Sequence, residues 1–321
     1  MGGGSYRYDS AVERSTKYLS YSTSDSGYLD REVFTRHSLD PQMDIKDKIR
    51  ESCVSAEHPD PITVYVGLDV TGSMGAIPKH LITKGFPHLM KKIIDEGIEH
   101  VQVCFFGIGD NVGDKVPIQV GQFETDDELQ EKWLKSLYLE GGGGAIGPDE
   151  GEGYQLAWYL AARHTKVESF DKNGRKGILI TIGDEQYRDS TPKRHINNLF
   201  GGAQSDVDSM SIYNEACEKW SIYHINIMNR TGRRDFVKGK WEQLLGDHCI
   251  NTQSEDGTDV PDIIAGIIID EVRNAKTTGK QMLTETQPET EEAETVETET
   301  VEVKPGVNDV EVHATPPKIL L

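Results

Sequence analysis

Apolar positions along this chain follow two rhythms. Ile62–Asp69, Val101–Ile108 and Gly177–Gly183 are near-continuous runs rich in Val, Ile and Leu, the pattern of strands buried on both faces. Residues 222–228 and a short run at 249–252 read as further strands, and residues 116–123 as an antiparallel edge strand. Between them the spacing turns helical. Residues 78–94 place Leu81, Ile82, Leu89, Met90 and Ile93 on one side, with Gly85 and Pro87 predicted to kink the helix. Helices are also expected over residues 126–139, 152–163, 192–199, 209–220 and 236–245. A last one over 260–272 carries Val260, Ile263, Ile264, Ile267 and Ile268 on a single stripe. Strands alternating with helices predict an α/β fold: a doubly wound, mostly parallel open sheet with helices on both faces.

The rhythm fades at both ends. Residues 1–61 are polar with scattered Tyr and Ser, and read as an arm that packs on the body without secure structure, apart from one short helix at 44–52. The globular domain occupies 62–275. Residues 276–304 form a Thr/Glu-rich linker that cannot bury enough surface to offset its ordering entropy, so disorder is expected. Residues 305–321 end in the apolar peptide P-P-K-I-L-L.

Charge narrows the function. The formal net charge is -20 over 321 residues, which repels phosphates and anionic membranes. Residues 230–240, with Arg233, Arg234 and Lys238, read as a solvated helix and its lead-in, so no nucleic-acid or membrane partner is expected. Cys53, Cys104, Cys217 and Cys249 lack metal or disulfide spacing and read as reduced thiols. With no signal peptide and no spanning run, a cytoplasmic location is expected. The dispersed His164, His224 and His248 are assigned to the surface or to strand flanks. G-I-G-D-N-V-G at 107–113 is read as a turn with Asp110 and Asp114 solvated.

The candidate chemistry lies in V-Y-V-G-L-D-V-T-G-S-M-G, residues 64–75. Asp69 ends a strand, and Thr71 and Ser73 follow at alternate positions, so their three oxygen side chains turn towards one point. Asp184 ends another strand in G-D-E-Q-Y-R-D. In open α/β sheets ligands bind beyond the carboxyl ends of the strands. A carboxylate buried there costs desolvation unless paired, and a cation is the economical partner. Hard oxygen donors suit magnesium, with manganese or calcium as alternatives.

L-D-V-T-G-S-M-G resembles the metal-ion-dependent adhesion site of von Willebrand factor type A domains over about residues 62–273. The resemblance implies metal ligation by Asp69, Thr71, Ser73 and Asp184, and recognition of a protein partner whose acidic side chain completes the ion's shell. It implies an adaptor or assembly role beside a ring ATPase or in phage or stress assemblies. The family's second-loop threonine is missing, because residues 140–154, E-G-G-G-G-A-I-G-P-D-E-G-E-G-Y, hold no hydroxyl before Tyr154. Pro148-Asp149-Glu150 there resembles the P-E-D loop of A domains in alpha-kinase-like proteins, and Asp149, or else Glu150, is expected to take the threonine's place. A catalytic alternative remains. D-V-T-G-S also resembles the nucleophile loop of haloacid dehalogenase-type phosphotransferases, with Asp69 attacking phosphate and Asp184 and Asp189 holding magnesium.

Overall fold

The computed structural model describes residues 4–24, 33–74, 77–141, 151–227, 234–253 and 257–285. The chain divides into Met1–Gly279 and Lys280–Leu321; the apolar C-terminal peptide lies outside the described residues.

In chain order the elements are α1 (Tyr8–Ser24), β1 (Arg50–Ser52), β2 (Ile62–Asp69), α2 (Ile77–His80), α3 (Phe86–Asp95), β3 (Val101–Ile108), β4 (Ile118–Val120), α4 (Asp127–Lys135) and α5 (Tyr154–Arg163). There follow β5 (Thr165–Val167), α6 (Glu168–Asn173), β6 (Gly177–Gly183), β7 (Ser190–Thr191), α7 (Lys193–Leu199), β8 (Val207–Asp208) and α8 (Ser209–Cys217). Last come β9 (Trp220–Asn226), α9 (Arg234–Leu245), β10 (Cys249–Asn251) and α10 (Val260–Glu285). The architecture is mixed α/β around a six-stranded sheet of order β10-β9-β6-β2-β3-β4. Its pairs are parallel except β3 with β4, which is antiparallel.

Alternate residues of the central strands feed two cores. Val64, Val66 and Leu68 of β2, with Val103, Phe105, Ile178, Ile180 and Ile182, face Leu89 and Ile93 of α3, Leu134 of α4, and Ile264 and Ile268 of α10. Tyr65, Cys104, Phe106 and Leu179 face Leu156 and Leu160 of α5, Ile212 of α8 and Trp241 of α9. Each fully buried Leu, Ile or Phe contributes about 1.5–3 kcal/mol relative to exposure, which is why the longest apolar runs are the central strands. Gly67 lies where a Cβ would come 2.2 Å from the Phe106 ring, so this aromatic layer requires glycine there.

The expected strands Ile62–Asp69, Val101–Ile108 and Gly177–Gly183 match β2, β3 and β6. Other boundaries shift. β9 starts at Trp220 rather than at 222, because the Trp220 indole is pinned to the Ala161 carbonyl at 3.0 Å. The kinked helix is resolved into α2, a π-helical turn at Leu81–Gly85 and α3, with Pro87 in the first turn of α3, where its missing amide proton costs least. α10 runs past residue 272 into the Thr/Glu-rich stretch as far as Glu285. No proline interrupts it between Pro261 and Pro288.

The N-terminal arm departs most from expectation. Residues 44–52 are not a helix: Arg50–Ser52 is a strand paired in parallel with β5. Arg50 is buried and donates to the carbonyls of Val120 and Gln42 at 2.8 and 2.9 Å. Ahead of it α1 packs on α4. Arg7 Nε and Arg14 Nη2 donate to the two oxygens of Asp127 at 3.0 and 2.6 Å, and Arg14 Nε donates to Glu131 at 2.6 Å. The contact of α1 with α4 rests on ion pairs, which hydrophobic periodicity does not report, while Val33, Phe34, Met43 and Ile45 of the arm are buried singly or in pairs too short to show a period.

Candidate metal centre

β2 and β6 lie side by side, with Leu68 opposite Ile182, so Asp69 and Asp184 emerge together at the carboxyl edge of the sheet. β2 is also where strand order reverses: β3 and β4 lie on one side, β6, β9 and β10 on the other. Sheets of this kind form crevices at such a point.

Beyond Asp69 the backbone leaves the sheet through a 3-10 turn, Gly72–Met74. Val70 and Met74 plug into the core, at 3% and 1% exposure. The intervening oxygens are thereby turned towards one another. Asp69 Oδ1 accepts from the Thr71 amide at 2.8 Å and from Thr71 Oγ1 at 2.6 Å. Thr71 Oγ1 lies 3.2 Å from Ser73 Oγ, which donates to Asp184 Oδ1 at 2.9 Å. Asp69, Thr71 and Asp184 are buried and Ser73 half-buried. Burial, followed by the charge of Asp184, pushes the Asp69 carboxyl up to about 7 against the opposing hydrogen bonds from Thr71 and Tyr154.

The structure thus brings together Asp69, Thr71, Ser73 and Asp184 from distant segments. Asp149 and Glu150 lie outside the described residues. Asp189 is elsewhere: its side chain is 88% exposed and pairs with Lys240 at 2.7 Å.

Two further residues belong to this edge. Tyr154, at the start of α5, is fully buried and donates its hydroxyl to Asp69 Oδ2 at 2.8 Å. Burial raises its phenol far above the ordinary range, so it serves as a donor. Its ring stands edge-on to His224 and Trp241, which stack on each other at 3.7 Å. His224 is therefore a core residue rather than a surface one; burial alone drops its imidazole to about 3, and Nδ1 pairs with Thr181 Oγ1 at 2.9 Å. Gly183 makes room for the phenol, since a Cβ there would lie 1.6 Å from the Tyr154 hydroxyl.

The second residue is Glu152, raised to about 10 by burial first, then by Asp69, Asp110 and Asp114, with Arg188 opposing. Its Oε2 meets no hydrogen-bond partner among the described residues. The glycine preceding the strand-end aspartate was the available signal for Tyr154. Glu152 gave none, because one more acid in a polar loop looks solvated.

The turn at 107–113 also differs from expectation. Asp110 is buried, not solvated, and its Oδ1 accepts from Arg188 Nη2 at 2.6 Å and from the Val112 amide at 2.9 Å.

The side chains linked at the Asp69 edge present only oxygen: two carboxylates, two hydroxyls and a phenol. This set fits a hard divalent cation better than a soft one. Among the described residues no three His, Cys, Asp or Glu side chains form a ready-made cage, so the carboxylates here act as a pair supported by hydroxyls.

The class defined by fold and edge is a mixed α/β domain with a mostly parallel sheet and a pair of buried acids at its carboxyl end. No family model matches the chain, and no curated protein does. Among solved structures it is similar to the pilus adhesin SpaC from Lactobacillus rhamnosus GG in its open conformation, with a TM-score of 0.44 and 12% identity over 70% of this chain and 31% of that one. A second structure of that adhesin gives a TM-score of 0.45 and 13% identity over 70% and 32%. This chain spans about a third of the length of those adhesin structures. Among the described residues no helix is long and apolar enough to cross a membrane.

Proposed function

We propose that this chain is a doubly wound α/β domain of the von Willebrand factor A type, cytoplasmic, that binds a protein partner through one divalent cation. Magnesium is the first choice, with manganese or calcium as alternatives, and the ligands are Asp69, Thr71, Ser73 and Asp184, with Asp149 added from the glycine loop. The observation that carries this reading is the unbroken line of oxygens from Asp69 through Thr71 and Ser73 to Asp184, 2.6, 3.2 and 2.9 Å apart. It joins two buried acids whose charges oppose each other. When bound, the ion supplies an electrophilic position that an acidic side chain of the partner fills.

The chain's own residues do the rest. Asp69 and Asp184 offset the positive charge, Thr71 and Ser73 turn their lone pairs from each other to the centre, and Tyr154 keeps Asp69 Oδ2 oriented by donating to it. The phosphotransferase alternative needs Asp189 beside Asp184, and the surface pairing of Asp189 with Lys240 favours the adhesion-type reading over it.

A ligand that binds only the folded state stabilises it by about 2.7 kcal/mol at a hundredfold excess over its Kd. Thermal melts with and without magnesium or manganese should show that gain in the wild type and lose it in Asp69→Ala; equal gains in both proteins would overturn the assignment. Affinity capture of a partner should likewise disappear when a chelator is added.

A further inference from the structure

The loop that carries Thr71 and Ser73 leads into an irregular helix. α2 begins three residues beyond Met74 and runs directly into the π-helical turn Leu81–Gly85 and then into α3. In that turn the Phe86 amide donates to the carbonyl of Leu81, five residues back, so the turn holds one residue more than an α-turn. Pro87 stands four residues after Thr83 and has no amide proton to give the Thr83 carbonyl. The N-terminal arm supplies one instead, since Ser15 Oγ of α1 donates to that carbonyl.

The rest of α1 is shaped to the same turn. Ala11 and Ser15, both buried, line one gap with Ile82, Phe86 and Pro87, and the Tyr6 ring stands edge-on to Phe86 at 5.9 Å. Gly85 of the turn meets α10, where a Cβ would come 2.8 Å from Pro261 Cγ. Small residues on α1 bury little apolar area, so its seat is fixed by charge: Arg7 and Arg14 reach Asp127, whose side chain is wholly buried, and Arg14 also reaches Glu131.

We propose that α1 is a strap that keeps the π-helical turn in register and so sets the cation affinity of the Asp69 loop, a control that rests on reading this loop as a cation site. Each residue of an α-helix adds about 1.5 Å of rise and about 100° of rotation. Loss of the extra residue from the turn would therefore shift α2 by that step, and Ser73 lies just ahead of α2. Met74 and Ile77 are packed in the same core as Leu81 and Ile82, so the step is transmitted to the loop instead of absorbed. With α1 seated, Thr71 and Ser73 stay aligned with Asp69 and Asp184. The coupling is reciprocal: a bound cation holds α1 more firmly by the same factor that α1 improves cation binding.

The test is calorimetric titration of manganese into the full chain, using wild type, Asp69→Ala and the double variant Arg7→Glu with Arg14→Glu, in which two new acids face Asp127 and Glu131 and drive α1 off. Amide hydrogen exchange is followed in parallel. The double variant should exchange its α1 amides rapidly and bind manganese at least roughly fivefold more weakly. Its added negative charge alone would strengthen cation binding, so a loss reports the strap. In the wild type, saturating manganese should slow exchange in α1 and in residues 81–85, and in Asp69→Ala it should not. Equal or tighter binding with α1 released would overturn the strap and leave the cation site standing, whereas no binding by the wild type would overturn both. Persisting protection of α1 in the double variant would refute the charge-held seat on which the strap depends. Should that variant fail to fold, exchange in the wild type decides, and α1 amides that manganese does not slow refute the coupling.

Discussion

Asp69 and Asp110 leave neighbouring strands at one edge of the same sheet and are both fully buried, yet the chain treats them in opposite ways. Asp110 is neutralised from within, by a buried guanidinium 2.6 Å away. Asp69 faces hydroxyls, a phenol and a second acid, and its carboxyl is pushed up to about 7. A buried acid beside an internal cation has its charge offset by the fold itself. A buried acid set against another acid carries a standing cost, which an external cation would offset, and this is the physical content of the functional proposal.

The largest test of the contrast is Arg188→Met. Removing one partner of a buried pair leaves an uncompensated charge, so denaturant unfolding should show a loss of about 3–5 kcal/mol. A loss below roughly 1 kcal/mol would mean that Asp110 is neutralised in another way. Asp69→Asn should not destabilise the metal-free protein comparably, because it removes repulsion instead of a partner.

The pH dependence comes next. Folded Asp69 keeps its proton up to about 7, whereas its ordinary value is 3.8. Between those values the folded state binds more protons than the unfolded one, so metal-free stability falls as pH rises, by about 1.4 kcal/mol per unit for one proton. The gain is fully present below pH 3.8 and is gone above about 7. Subtracting the Asp69→Asn profile isolates this contribution, and two parallel profiles would remove it.

Gly183→Ala should cost roughly 1–3 kcal/mol, the usual range for overpacking, because the added Cβ displaces the Tyr154 hydroxyl. It should also weaken manganese binding, since the donor that orients Asp69 moves away. Destabilisation with unchanged affinity would separate the phenol from the site. Smallest of all is Asp189→Ala. Its ion pair is exposed, so less than about 0.5 kcal/mol should be lost, with cation affinity unchanged; a large loss of affinity would revive the phosphotransferase reading.

Strands β2, β3 and β6, their parallel arrangement with helices between, and the emergence of Asp69 and Asp184 at the carboxyl edge were legible in the sequence. An apolar run reports burial directly, and strand ends in such sheets are where ligands bind. Tertiary structure alone decided which polar residues are inside. The Asp110–Arg188 pair, the Tyr154–Asp69 bond, the His58–His100 contact and the salt-bridged seat of α1 each join residues 42 or more positions apart. A buried polar side chain looks like a solvated one until its partner is known. Hydrophobic periodicity therefore reveals where the core is and stays silent about the charges folded into it.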